Sequence, residues 1–171
     1  LLASPFGICF SNEPSRDAVP LNAAIAQINV ELADELETLQ TGDYDSIDIQ
    51  GQPPAWKEVV AVFAVKTAGG DDGVDVAALT PDRIDRLRAV FWDMCQITTE
   101  TETVEGEDST ETILHITITP KTADDMRTVY SFSEFQNKTL TELLEELDAL
   151  DGLLGDLAIP QQPIQCVQLL Q

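Results

Sequence analysis

The sequence predicts an α+β fold, mainly helical, with four to five helices and one long antiparallel β-hairpin. Two features of its patterning lead there. Between Leu21 and Leu39, apolar residues recur at steps of three and four, the spacing that lines one face of a helix, and similar stripes return further along. Between Ile97 and Thr119 the period drops to two, the spacing of strands, with a turn cluster in the middle.

Taken in chain order, the opening "LLASPFGICFSN" is apolar but interrupted by Pro5 and Gly7, which predicts an extended segment packed on the domain. The first helix runs from Pro20 to Leu39 on Leu21, Ile25, Ile28, Leu32, Leu36 and Leu39, with Pro20 suited to the first turn and Gly42 to the stop. A short strand or extended piece follows at about Tyr44 to Ile49. The second helix, Pro54 to Lys66, carries Trp56, Val59, Val60, Val62, Phe63 and Val65 and leaves only a narrow polar face, so it is expected to be central and buried.

The third helix opens on Thr80 as N-cap and Pro81 as first helical residue, with Ile84, Leu87, Val90, Phe91 and Met94 on one face. The hairpin, "ITTETETVEGEDSTETILHITIT", turns near Gly106 to Ser109 and ends at Pro120. Leu114, Ile116 and Ile118 share one face of its second strand. Thr122 then caps a helix with Asp124 and Asp125 in its first turn, and Ser133 with Gln136 forms a capping box for the last, leucine-striped helix. These elements make one domain over residues 1–159, packed around the Trp56 helix, with 160–171, "PQQPIQCVQLLQ", as a tail or linker.

The chain has 171 residues, 43% of them apolar, enough for a single well-formed core. It carries 31 acids against nine bases, a formal charge of -22. Six acids and no base lie between Glu100 and Glu111, and no base follows Lys138. Such a surface repels phosphate backbones and anionic lipid, so neither nucleic-acid binding nor binding to a membrane surface is expected. No run of apolar residues is long enough to cross a membrane, so this segment is not expected to insert. The first residue is Leu1, so the chain is expected to continue upstream into whatever signal or anchor it has.

Cys9, Cys95 and Cys166 are too few and too scattered for a disulfide framework, and Cys95 is expected to be a buried thiol on a helix face. His115 is the single histidine and no partner is visible at any useful spacing, so it is expected to be structural or superficial. That count excludes multi-histidine metal sites and leaves any histidine-dependent nucleophile resting on His115.

Asp71, Asp72 and Asp75 around Gly73 form a weak calcium candidate, departing from the EF-hand spacing and lacking its closing glutamate. No cofactor is expected. Glycoside cleavage needs a carboxylic acid kept protonated at an apolar surface. Lysozyme-like folds place that acid at the end of a helix such as Trp56 to Thr67, where this chain has Lys66, Thr67, Ala68 and Gly69. Lysine is a poor acid, with a reference pKa near about 10.4. The acids that remain as catalytic candidates are Glu58, Asp71 and Asp72; Trp56, Lys66 and Thr67 are the candidates for ligand contact.

Five segments carry a likeness to a known family: "SPFGICFS" at Ser4 to Ser11, "WKEVVAVFAVKT" at Trp56 to Thr67, "VFWDMCQIT" at Val90 to Thr98, "LHITITPKTADDM" at Leu114 to Met126 and "LTELLEE" at Leu140 to Glu146. Together they resemble the membrane-proximal region of cell-wall hydrolase-like proteins encoded on conjugative mobile elements of Gram-positive bacteria. The resemblance implies an extracytoplasmic module, preceded by a membrane-anchoring segment and followed by a CHAP-type peptidoglycan-cleaving domain. It implies conjugation or secretion-apparatus proteins as partners, with peptidoglycan as a further candidate.

The expected function is therefore a non-catalytic module that positions or docks a wall hydrolase in the conjugation machinery. The alternatives are a lysozyme-like glycan cleaver using Glu58 or the Asp71 to Asp75 loop, and a protein-interaction domain of the secretion apparatus.

Overall fold

A computed structural model describes residues 17–67 and 78–154 of the chain. The expected extended segment at Leu1 to Asn12, the Asp71 to Asp75 loop and the 160–171 tail lie outside them. Among the described residues are five helices and five strands, arranged as β1 (Val19–Pro20), α1 (Leu21–Leu39), β2 (Ser46–Gly51), α2 (Trp56–Thr67), β3 (Ala78–Leu79), α3 (Pro81–Met94), β4 (Cys95–Glu105), β5 (Thr110–Pro120), α4 (Ala123–Val129) and α5 (Glu134–Leu154). The fold is α+β and mainly helical.

Helix α2 lies at the centre. Trp56 and every residue from Val59 to Val65 are buried. Its four valines are stiff, mediocre helix formers, so burial rather than intrinsic propensity holds this helix together. At about 1.5–3 kcal/mol for each large apolar side chain removed from water, a fully buried run of this length outweighs the propensity deficit, which is a fraction of a kcal/mol per valine.

Around it close the stripes of the other elements. Ile25, Ile28, Leu32 and Leu36 come from α1, and Ile84, Leu87, Val90, Phe91 and Met94 from α3. Met126 of α4 and Leu140 and Leu143 of α5 complete the cluster with Leu114, Ile116 and Ile118 of β5. Trp56 stacks on Phe91 with ring centroids 5.0 Å apart, and its indole N–H donates to Asn29 Oδ1 at 3.0 Å.

Two of the three start signals cap their helices as the sequence predicts. Thr80 stands at the N-cap position before Pro81, but its side chain makes no capping hydrogen bond to α3. Thr122 and Asp125 form a reciprocal capping box on α4, and Ser133 and Gln136 exchange the same two bonds at the start of α5. Pro20 differs slightly, serving as N-cap of α1 while it closes the two-residue bridge between β1 and β3. Nothing in the local sequence announces that bridge.

The expectation of one hairpin as the whole sheet needs correction. β4 and β5 pair antiparallel from Cys95 opposite Pro120 to Glu105 opposite Thr110, but β2 adds on the other side of β5, and in parallel. The sheet is three-stranded and mixed, in the order β2-β5-β4. A two-stranded ribbon is marginal in water, and the third strand satisfies the second edge of β5. The β2 strand also begins and ends two residues later than the stretch its sequence suggests.

Gly51 closes β2 with a φ of +89°, and a Cβ there would lie 1.9 Å from the Ile118 carbonyl oxygen. Only glycine fits both the backbone conformation and the close approach to β5.

Candidate functional site

The sequence candidates on α2 turn out to be structural. Glu58 reaches from the first turn of α2 to α4, where its Oε2 accepts the Ala123 backbone N–H at 2.5 Å. Ala123 is the first residue of α4, and that N–H has no acceptor within its own helix, so a carboxylate is well placed there. Trp56 is buried to 4% exposure and offers no free face to a sugar ring.

Lys66 is exposed at the end of α2 and lies over the ring of Tyr130, with Nζ 3.8 Å from the centroid. The Tyr130 hydroxyl in turn donates to Asp93 Oδ2 at 2.6 Å, and burial, reinforced by that carboxylate, raises the phenol above its ordinary pKa. Thr67 donates its hydroxyl to the Phe63 carbonyl at 2.8 Å, within its own helix. The structure thus brings Lys66, Tyr130 and Asp93 together. Asp71, Asp72 and Asp75 are outside the described residues. Cys95 is a buried free thiol, at the first residue of β4 rather than on the expected helix face, and burial pushes its pKa up to about 11, which keeps it protonated and unreactive.

A different constellation lies on the open face of the sheet. The pleat sends Leu114, Ile116 and Ile118 into the core and turns His115 outward. Register places His115 between Asp48 of β2 and Glu100 of β4, with Glu102 diagonally next to it. Its Nδ1 is 3.1 Å from Asp48 Oδ2 and its Nε2 is 2.9 Å from Glu102 Oε2.

A carboxylate on each ring nitrogen favours the doubly protonated imidazolium, which alone can donate to both. The hydrogen bond to Glu102, followed by the one to Asp48, raises the His115 pKa above its ordinary value. Asp48 moves down, chiefly through the amide of Gln50, which donates to it at 2.6 Å, and then through His115.

His115, whose sequence spacing shows no partner, thus has one on each ring nitrogen. Its link to Glu102 was within reach of the sequence, because the turn at Gly106 to Ser109 sets the register that puts Glu100 and Glu102 beside it. Its link to Asp48, 67 residues away, carries no local signal.

Both imidazole nitrogens are engaged, so His115 is poorly suited to take a proton from a nucleophile. Among the described residues, no group of three His, Cys, Asp or Glu side chains is arranged to hold a metal ion. What the face offers is a row of carboxylates on rigid strands, suited to contact with cationic groups.

Among the described residues, most of the bases have partners of their own. Lys57 pairs with Asp148, Arg86 with Asp82, Arg88 with Glu31 and Asp85, Arg127 with Asp124, and Lys138 with Glu142. Lys121 donates to the Asp93 carbonyl at the end of α3.

No family model matches the chain, and no curated protein and no solved structure matches it significantly.

Proposed function

We propose that this chain is a non-catalytic, extracytoplasmic interaction module of a conjugative-element cell-wall hydrolase, docking that hydrolase to protein components of the conjugation or secretion apparatus. The resemblance of the five sequence segments supports the cell-wall and conjugation setting. The observation that carries the non-catalytic part is the engagement of Glu58. It is the single acid on α2, and its carboxylate holds the Ala123 N–H at the start of α4. A general acid for glycoside cleavage must face the sugar, whereas the Glu58 carboxylate is turned to the Ala123 N–H at the start of α4.

The net charge of -22 and the ion-pairing of the bases support a protein partner over an anionic polymer. Incubation of the purified chain with peptidoglycan, with new reducing ends as the readout, tests the proposal. The expected result is no release above a Glu58→Gln control. Release that this substitution abolishes would make the chain a glycan hydrolase instead. The docking part is tested in cells carrying the element, where deletion of this module is expected to separate the hydrolase from the conjugation complex while leaving its isolated activity intact.

A further inference from the structure

We propose that the outer edge of β4, from Thr99 to Glu105, takes up a basic, extended peptide as a fourth strand of the sheet. This deepens the interaction-module proposal and rests on it, naming the surface and the chemistry of the partner.

The geometry of the β4–β5 ladder decides which backbone groups are free. Gly106 donates its N–H to the Ser109 carbonyl at the turn, and Lys121 donates to the Met94 carbonyl at the opposite end, both at 2.7 Å. Between these two fixed points the pairing runs without a bulge. In an antiparallel pair, hydrogen-bonded and non-hydrogen-bonded residues alternate. Gln96, Thr98, Glu100, Glu102 and Val104 therefore bond to β5. The N–H and C=O groups of Ile97, Thr99, Thr101, Thr103 and Glu105 point away from it. The same alternation on β5 turns the Thr112 carbonyl toward β2, where it accepts the Asp45 N–H at 2.9 Å.

Among the described residues, no strand pairs with that outer edge, since β4 ends the order β2-β5-β4. Every residue from Thr98 to Glu105 is exposed. Proteins usually blunt such an edge with proline, lysine, a bulge or a short strand. β4 has none of these: it is eleven residues long and rich in β-branched threonine.

Its guard is charge. Glu100 and Glu102 stand on the open face and Glu105 closes the strand, with Glu107 and Asp108 in the turn beyond. Two copies pairing edge to edge would bring these carboxylates together, and like charges across a strand pair are destabilising. A strand with lysine or arginine at alternate positions reverses the sign. Its cations would lie beside Glu100 and Glu102, and its own backbone would pair with Thr99, Thr101 and Thr103. This is strand addition in which backbone bonds supply affinity and the acidic row supplies selectivity.

The test titrates the whole chain with a labelled peptide alternating lysine and valine, read by fluorescence anisotropy, with amide exchange mapped in parallel. Expected are saturable binding and slowed exchange at Thr99, Thr101 and Thr103. N-methylation of the peptide on alternate backbone nitrogens keeps the charge, removes the bonds, and is expected to weaken binding about tenfold or more.

Thr101→Pro removes an outward N–H while sparing the ladder to β5, since proline is tolerated where the N–H faces solvent, and is expected to weaken binding similarly. The paired substitutions Glu100→Lys and Glu102→Lys leave the backbone edge intact and are expected to abolish binding. Equal binding of the methylated peptide would reduce the effect to charge adsorption and overturn the proposal. So would unchanged binding by Thr101→Pro, no binding at all, or self-association of the wild-type chain through this edge. Each of these outcomes leaves the reducing-end assay untouched, so failure here is distinct from failure of the non-catalytic assignment.

Discussion

The carboxylate of Glu58 and the backbone N–H of Ala123 meet at 2.5 Å, joining the central helix α2 to the first turn of α4. Ala123 is buried to 2% exposure, so its N–H has no ready substitute in water. Glu58→Ala is expected to destabilise the fold by about 1–3 kcal/mol, the cost of leaving a buried donor unsatisfied. Glu58→Gln keeps an acceptor oxygen and is expected to cost less. Urea denaturation of the three proteins at neutral pH checks the order.

His115 gives the sheet a pH dependence with a definite sign. Its folded pKa is raised above the ordinary 6.5 by Glu102 and Asp48, so its contribution is fully present below about pH 6.5 and is lost as pH rises through the higher folded value. Above that value, Asp48 from β2 and Glu100 and Glu102 from β4 face a neutral ring. Stability of the wild-type chain relative to His115→Gln is therefore expected to fall between mildly acidic and mildly alkaline pH. Urea midpoints measured across that range decide it, and a flat difference would contradict the pairing.

Gly51 is expected to be intolerant of any side chain. Its φ of +89° and the 1.9 Å approach of a Cβ to the Ile118 carbonyl set strain and overlap against the same substitution. Gly51→Ala is expected to cost about 2–4 kcal/mol, at the high end for a surface-strand change. Thermal denaturation reads it directly.

Ser131 offers the opposite case. The N–H of Phe132 bonds to the Arg127 carbonyl at 3.0 Å and that of Ser131 to the Thr128 carbonyl at 3.1 Å, closing α4 in a Schellman turn with Ser131 at a φ of 51°. Glycine is favoured there. Relief of the left-handed strain, offset by the greater entropy of an unfolded glycine, predicts that Ser131→Gly stabilises the fold by about 0.5–1 kcal/mol. The check is a rise in the urea midpoint with an unchanged slope.

Salt is expected to stabilise the chain. Exposed ion pairs contribute at most about 1 kcal/mol each and weaken as salt rises, whereas 31 acids against nine bases repel across the whole surface. Screening shortens from about 10 Å at 0.1 M to about 3 Å at 1 M, which removes the long-range repulsion. The melting temperature is expected to climb over that range of sodium chloride, by about 2–4 °C for each kcal/mol recovered.

Some of this architecture is written in short stretches of chain. Thr122 with Asp125 and Ser133 with Gln136 announce their helices because a cap satisfies donors within three residues of itself, while Thr80 before Pro81 announces α3 through a proline preset for the first helical turn. The valine-rich run from Val59 to Val65 announces a buried helix because no polar face is left to meet water. The turn at Gly106 to Ser109 likewise sets the β4–β5 register, and with it the nearness of Glu102 to His115.

Other relationships have no local cause. Parallel addition of β2 to β5, the bridge between β1 and β3, the 67-residue span from Asp48 to His115 and the recruitment of Glu58 to Ala123 all depend on where folded elements come to rest. Sequence alone determined the helical core, the strand pattern and the acidic surface, since periodicity and charge act over a few residues. Only the tertiary structure decided that the one acid of α2 is a cap, that the lone histidine is paired on both sides, and that no described strand pairs with the outer edge of β4. Those outcomes follow from packing between distant segments, which no short-range pattern encodes.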